Sequence, residues 1–197
     1  IMQVEVLSIG GDISDSEETL DLTFKSDTIA GMQAWYNAAN TGSSLANGAV
    51  IENWQDSSGY GRDMAFTSGN PRYYNSGLKG KPVVSFDGDD LMWTNHNFDH
   101  LLDTGYTMIS LSRYTGSRNQ RVISSRNRNF LFGYEGALTG RWFAQGWIST
   151  AGPLDTQWHM HLGVIDKRNN PEASFWRDGE NLVSNNRGSG NANFDPG

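Results

Sequence analysis

The chain lacks cysteine altogether among its 197 residues. Thiolate catalysis, cysteine-ligated zinc and disulfide bonds are therefore excluded. Because a chain of this length can bury enough core to fold without disulfides, the lack of cysteine does not decide whether the protein is exported. Long hydrophobic runs are also missing. No segment approaches the roughly 18 apolar residues of a membrane-spanning helix, so we expect no membrane span.

Positive charge is scarce at the start of the chain and concentrated near its middle. The net charge is −7, residues 1–30 hold seven acidic residues against Lys25, and residues 113–141 hold six arginines against Glu135. The acidity therefore belongs to the N-terminal segment and says little about what the remainder binds. Because the remainder is nearly neutral, we expect no nucleic-acid partner.

Aromatic residues and glycine are abundant. Seven Trp, seven Tyr and nine Phe accompany 23 Gly. Aromatic side chains suit half-buried pleated sheets, and glycine provides the positive φ angles of tight turns. Apolar runs end about every six to ten residues at Gly, Asn, Asp or Pro, and Asp178-Gly179 is a strong two-residue hairpin signal. The pattern predicts an all-β fold built as an antiparallel β-sandwich.

Three short motifs between Trp35 and Trp93 carry a family resemblance, and two later motifs add to it. The first three read A-W-Y-N-A-A-N, W-Q-D-S-S-G-Y-G-R-D and G-L-K-G-K-P-V-V-S-F-D-G-D-D, and the later two read W-H-M-H-L-G-V-I-D and S-F-W-R-D-G-E-N-L-V. Over about residues 30–184 the chain resembles the LamG-like jelly-roll domains of the concanavalin A-like lectin/glucanase superfamily. The resemblance implies a jelly roll with Trp35, Trp54, Trp93 and Trp158 in its core.

The resemblance also implies a non-catalytic recognition module, extracellular or at the cell surface, that binds a glycan or an extracellular protein. Glucanases of this superfamily carry E-x-D-x-E or E-x-D-x-x-E on one strand, where alternation places the carboxylates beside the scissile bond. This sequence has no such motif, so we expect no enzyme activity, and a polysaccharide-degrading enzyme is the least favoured interpretation. The second interpretation is a structural domain of a large adhesin or a repeating extracellular filament.

The chain is predicted to have two parts. Residues 1–27 form an N-terminal strand and acidic linker, and residues 28–197 form the LamG-like domain. The first strand either closes the sandwich or ends a preceding domain. After Val183 the closing strands typical of the family are missing, so either residues 1–11 replace them or, as we favour, the domain is incomplete at its C-terminus. A missing strand would leave an open sheet edge, through which copies could form a homo-oligomer or filament.

An arginine-rich stretch with aromatic neighbours is the predicted ligand site, and the loop at residues 87–99 is the second candidate. Guanidinium forks beside aromatic faces suit an acidic or sulfated polysaccharide. The alternative is a solvated strand face whose arginines pair with the acidic N-terminal segment or a neighbouring molecule. Trp142, Trp147 and Trp176 have polar neighbours and are predicted to be exposed. The predicted ligand-binding residues are Arg113, Arg121, Arg126, Arg128, Tyr134, Arg141, Trp142 and Trp147.

Two smaller clusters are candidates for metal ions. Asp87, Asp89 and Asp90 lie in an oxygen-rich loop that calcium could bind, or else they cap a hairpin turn. His159 and His161 share one strand face and could hold a transition metal. No third ligand is identifiable for them, and His159 occupies a position that is ordinarily structural in the family. Calcium is therefore the one candidate cofactor.

Overall fold

The structure, a computed structural model, describes most of the chain between residues 29 and 185 together with a short N-terminal strand. The described residues are 2–5, 29–41, 44–102, 105–116, 121–125, 129–144, 146–149, 152–166, 168 and 173–185. Within these ranges the regular structure is almost entirely β, and the two helices are short 3-10 segments at Ala38–Asn40 and Asp99–Leu102. No helix in this part of the chain is long and apolar enough to cross a membrane.

The described residues include thirteen strands, numbered β1 to β13 in chain order. They are Met2–Glu5, Phe66–Ser68, Arg72–Leu78, Lys81–Phe86, Leu91–Trp93, Gly105–Tyr114, Ile123–Ser124, Phe130–Glu135, Leu138–Ala144, Gly152–Pro153, His159–Asp166, Ala173–Arg177 and Glu180–Asn185. Short strands separated by turns are what the aromatic-rich and glycine-rich sequence predicts.

The strands form three antiparallel sheets. The main sheet has seven strands in the order β13-β12-β11-β6-β1-β4-β3, and the smaller sheet has four in the order β10-β9-β8-β7. Strands β2 and β5 pair as a two-stranded ribbon. The prediction of an all-β, antiparallel fold is confirmed, and the jelly-roll connectivity stays a prediction.

The main and smaller sheets pack face to face around an aromatic core. The rings of Phe132 and Trp142, from the smaller sheet, have their centroids 5.8 and 6.1 Å from that of Phe175 in the main sheet. Gly163 of β11 permits this approach, because a Cβ atom there would lie 2.7 Å from the Phe132 ring and 2.9 Å from the Trp142 ring. Added volume at this point would therefore push the sheets apart.

The four tryptophans of the family motifs divide into two pairs. Trp35 and Trp54 are buried, in agreement with the implied core positions. Trp93 and Trp158 are only half-buried, because Trp93 belongs to the small surface ribbon and Trp158 precedes β11 on the outer side of the main sheet. The family motifs therefore predict the burial of Trp35 and Trp54 correctly and overestimate that of Trp93 and Trp158.

Strand β11 turns its histidines toward the smaller sheet. The strand alternates strictly between buried and half-buried positions, and its buried positions are His159, His161, Gly163 and Ile165. The His161 ring stacks on Phe175 at 5.8 Å and meets the Tyr134 ring edge-on at 5.4 Å. Two imidazoles therefore lie between the sheets, while the apolar positions on the other face of β11 are partly exposed.

Strand β1 lies in the interior of the main sheet. Three of its residues pair with β4, from Met2 opposite Phe86 to Val4 opposite Val84, and four pair with β6. This position agrees with the alternative in which the N-terminal strand completes the sandwich.

The outer edge of β3 is covered by a neighbouring segment of the same chain, residues 47–51. The backbone N–H of Gly48 donates to the Tyr73 carbonyl at 2.7 Å, and the Tyr73 N–H donates to the Ala49 carbonyl at 2.9 Å. Neither the centre of the main sheet nor its β3 edge therefore presents the open row of backbone groups that strand-mediated assembly would need.

Candidate functional site

The predicted arginine and aromatic site does not come together in the structure. Arg113 alternates with buried residues of β6 and points outward from the main sheet, where its guanidinium lies 5.2 Å from the Trp158 ring centroid. Arg141 alternates with buried residues of β9 and points outward from the smaller sheet. The two arginines therefore lie on opposite faces of the sandwich. Arg126 and Arg128 lie outside the described residues.

Two predicted ligand-binding residues, Tyr134 and Trp142, are in the core, so this part of the prediction is wrong. Tyr134 is 1% exposed and Trp142 is 0% exposed. The Tyr134 hydroxyl donates to the Ser112 carbonyl at 2.9 Å, and burial raises the pKa of Tyr134 to about 12. The polar neighbours that suggested exposure, such as Arg141, occupy the opposite face of the same strands.

Trp147 is exposed, as predicted, but the arginine beside it is already engaged. Trp147 is 38% exposed, and the Arg141 guanidinium carbon lies 3.4 Å from its ring centroid. The same guanidinium is 3.7 Å from the Glu135 carboxylate. Arg121 donates to the Phe130 carbonyl at 2.9 Å and so braces the β7–β8 connection. These arginines contact groups of their own sheet, and most of the acidic N-terminal segment with which the alternative pairs them lies outside the described residues.

The three aspartates of the 87–90 loop converge, as the sequence predicts. One carboxylate oxygen of each lies within 4.8 Å of the others. Asp90 is committed to the fold, because its two oxygens accept hydrogen bonds from the backbone N–H groups of Asp87, at 2.8 Å, and of Asn70. The hydrogen bond between the Asp87 and Asp89 side chains lowers the pKa of Asp87 and raises that of Asp89. The cluster suits either a hard cation or a braced turn.

Thermal unfolding with and without about 1 mM calcium chloride decides between these alternatives, because a bound ion stabilises the folded state by mass action. If calcium binds, we expect a rise in Tm of several degrees in the parent protein and none in Asp89→Asn. If the loop is only a braced turn, neither protein responds. Asp89→Asn is then at least as stable as the parent, since it removes one of three neighbouring carboxylates.

A separate cleft is built by the loop that follows Trp54, and Asp56 organises this loop. Its Oδ1 accepts hydrogen bonds from the backbone N–H groups of Trp35 and Ser58, both at 2.9 Å. Its Oδ2 accepts from the Ser58 hydroxyl at 2.7 Å and from the Arg62 N–H at 3.0 Å. Burial opposes ionisation of Asp56, but these bonds outweigh it and hold its pKa below the ordinary value.

The same loop presents Tyr60 to solvent. Gly59 and Gly61 flank it at φ angles of 89° and 66°, which other residues adopt only with strain. Tyr60 is 60% exposed, the largest value among the exposed large hydrophobic residues of the described chain. Phe66, on β2, is 42% exposed and stacks on Trp93 of β5 with ring centroids 5.7 Å apart. Two aromatic rings are thus held at the surface by the fold.

Tyr60 and Phe66 border an open cleft of about 490 Å³. This volume lies within the roughly 300–1,000 Å³ typical of small-molecule sites. The cleft is lined by Tyr60, Gly61, Arg62, Asp63, Ala65, Phe66, Thr94, Asn95 and His96. It therefore combines exposed aromatic rings with hydrogen-bonding side chains.

The polar residues of the cleft are held in place by the surrounding chain. One Arg62 amino group, Nη1, donates to the backbone carbonyl and the side-chain oxygen of Gln33, at 2.6 and 2.8 Å. The Arg62 guanidinium also lies 4.5 Å from the centroid of the Tyr60 ring. Burial, with the nearby charge of Arg62, lowers the pKa of His96. At neutral pH the imidazole is therefore uncharged.

The sequence signal for this cleft is weak. Tyr60 belongs to a motif that the family resemblance interprets as structural. It lies between two glycines, in a turn where no neighbouring strand covers its ring. Phe66 resembles any strand aromatic, and its exposure follows only from its place on the small ribbon. Asn95 and His96 do fall within the predicted loop at residues 87–99.

His159 is held between two carboxylates. Its Nδ1 lies 2.6 Å from Asp178 Oδ2, and its Nε2 lies 2.8 Å from Asp155 Oδ1. A carboxylate oxygen thus lies in front of each ring nitrogen and occupies the position that an ion would take. The arrangement agrees with the structural alternative for His159 rather than with a transition-metal site.

Folding stability should fall as the pH is lowered from about 6.5, in part because of His161. Burial lowers the pKa of His161 from 6.5 to about 3. Between these pH values His161 is protonated in the unfolded chain and neutral in the folded chain. The free energy of unfolding therefore falls by about 1.4 kcal/mol per pH unit because of this group. Urea unfolding between about pH 7 and 4.5 should give a shallower loss of stability in His161→Leu than in the parent protein. Equal slopes in the parent and His161→Leu would contradict the assignment.

Comparisons of the chain with protein-family models, with curated proteins and with solved structures found no match. The resemblance to LamG-like domains therefore stays a prediction from the motifs. Function must be inferred from the geometry of the cleft and of the surrounding surface.

Proposed function

We propose that the protein is a non-catalytic glycan-recognition module whose ligand lies in the cleft bordered by Tyr60 and Phe66. The observation that carries this proposal is the pair of surface aromatic rings beside hydrogen-bonding side chains in one cleft. The apolar C–H face of a sugar covers such a ring while its hydroxyls bond to polar groups at the rim. The extracellular setting rests on the family resemblance alone.

The shape of the site favours a glycan over a protein partner. The feature here is an open cleft of about 490 Å³, a volume in the range of small-ligand sites. The structural-domain interpretation needs an open strand edge; β1 fills the position between β4 and β6 and the β3 edge is covered, which leaves β13 as the other edge of the main sheet. Glycan recognition is therefore the function that the described surface supports best.

Glycan-array binding tests the proposal with two matched variants. We expect the parent protein to bind a subset of glycans and Tyr60→Ala to lose at least about tenfold in affinity, since aromatic anchors dominate small interfaces. Trp147→Ala removes an exposed aromatic residue outside the cleft and should bind like the parent. The proposal fails if no glycan binds, or if Trp147→Ala loses binding and Tyr60→Ala keeps it.

A further inference from the structure

The two charged residues that line the cleft, Arg62 and Asp63, have opposite formal charges. Asp63 accepts hydrogen bonds from the Asp56 N–H at 2.9 Å and from the Asn53 side chain at 3.2 Å. Arg62 bonds twice to Gln33, and its guanidinium lies against the Tyr60 ring. The formal charges of Arg62 and Asp63 cancel, so the lining carries no net charge that would favour an anion.

His96 adds no positive charge to this balance. Its Nε2 is buried without a hydrogen-bond partner in the described part of the chain, and its ring packs edge-on against Phe98 at 4.8 Å. A protonated imidazole here would be partly desolvated and close to the positive charge of Arg62, and these are the physical reasons for its lowered pKa. An anionic sugar entering the cleft would meet the carboxylate of Asp63 beside the guanidinium of Arg62, so the lining offers no net attraction for a negative charge.

The two aromatic platforms are supported from one side. The Arg62 guanidinium lies over the Tyr60 ring at 4.5 Å, and Trp93 stacks on Phe66 at 5.7 Å and 19°. In each case the remaining part of the ring is exposed to solvent. Rings fixed before a ligand arrives lose little conformational entropy on binding. Two such rings on one cleft fit two sugar units better than one.

We infer that the cleft takes a neutral oligosaccharide of at least two pyranose units, one stacked on Tyr60 and another on Phe66. This inference rests on the proposed function and names its ligand class. It differs from the acidic or sulfated polysaccharide that the arginine-rich sequence suggests. Arg62 is a positioning residue in this arrangement, since it fixes the Tyr60 ring and is itself fixed by Gln33.

Calorimetric titration with neutral and anionic tetrasaccharides tests the inference. The neutral probes are cellotetraose, xylotetraose and chitotetraose, and the anionic probe is tetragalacturonate. We expect at least one neutral probe to bind, with affinity weakened at least about fivefold in Tyr60→Ala and in Phe66→Leu, which removes the ring but keeps an apolar side chain. Trp147→Ala should stay within about twofold of the parent. Because no charge is neutralised, raising sodium chloride from about 50 to 500 mM should leave the affinity unchanged.

The outcomes separate the inference from the proposed function. Binding of tetragalacturonate alone, weakened by Tyr60→Ala, overturns the neutral class and leaves glycan recognition in the cleft intact. If Tyr60→Ala weakens the binding of a neutral probe and Phe66→Leu does not, the two-ring arrangement is overturned. If neither cleft variant weakens binding, the result counts against the proposed function itself. The same holds if the folded parent protein binds none of the probes. Circular dichroism of each variant confirms that lost binding is not lost folding.

Discussion

Trp142→Ala should destabilise the fold by about 3–5 kcal/mol, as large buried aromatic residues do when truncated to alanine. Trp142 is fully buried and packs between Phe132, at a centroid distance of 5.7 Å, and Phe175. Truncation would open a cavity between the two sheets, beside Gly163. Because small domains are stable by only about 5–15 kcal/mol, this loss is a large fraction of the total. Equilibrium urea unfolding of parent and variant measures it.

Trp147→Ala is the matched control for Trp142→Ala. Trp147 is partly exposed and contacts Phe143 and Arg141 at the surface, so its loss should cost about 1 kcal/mol. The polar sequence neighbours of both tryptophans predict exposure, but in the structure only Trp147 is exposed and Trp142 is buried. Equal costs for the two variants, or a larger cost at Trp147, would contradict the placement of Trp142 in the core and of Trp147 at the surface.

Asp56→Ala should cost about 2–4 kcal/mol and abolish binding in the cleft. The substitution leaves the backbone N–H groups of Trp35, Ser58 and Arg62 without their acceptor, together with the Ser58 hydroxyl. Each partly buried group that loses its partner costs about 1 kcal/mol or more. The loop that carries Tyr60 between its two glycines would lose its anchor. Urea unfolding and glycan titration of the same variant measure the two effects.

Ser58→Ala calibrates the Asp56 result. It removes one of the four hydrogen bonds to the carboxylate and leaves the three from backbone N–H groups. We expect a loss of about 1 kcal/mol in stability and retention of binding. If Asp56→Ala kept both stability and affinity, Asp56 would not be the organising residue of the cleft.

Local turn chemistry made the fold class predictable from the sequence. Asp178-Gly179 signals a hairpin, and the two residues adopt φ angles of 53° and 84° between β12 and β13. Frequent breaks between aromatic-rich segments indicate short strands, and such strands dominate the described structure. These signals are local, so the sequence carries them without knowledge of strand partners.

Strand partners and strand faces were harder to predict because they depend on distant residues. β1 pairs with β4 and β6, which lie about 80 and 110 residues further along the chain. Tyr134 and Trp142 have polar sequence neighbours but point into the core, since alternation alone does not say which face is buried. If the two faces of a strand are assigned the wrong way round, buried residues are chosen as candidate site residues in place of exposed ones.

The cleft depends on the same kind of distant contact. Tyr60 and Arg62 reach it from the loop after Trp54, whereas Asn95 and His96 reach it from the segment after β5. The pairing of β2 with β5 brings these segments together, and Phe66 lies opposite Trp93 in that ribbon. The aspartate cluster at residues 87–90 was recognisable because its ligands are adjacent in the sequence.

The central claim is that a glycan binds between Tyr60 and Phe66, and amide chemical-shift mapping tests it most directly. The parent protein, labelled with ¹⁵N, is titrated with the glycan that the array identifies. The largest shifts are expected at residues 60–66 and 94–96, with saturation at the affinity measured by calorimetry. Shifts concentrated instead around Arg113, or around Arg141 and Trp147, would contradict the claim and return the site to the arginine-bearing faces.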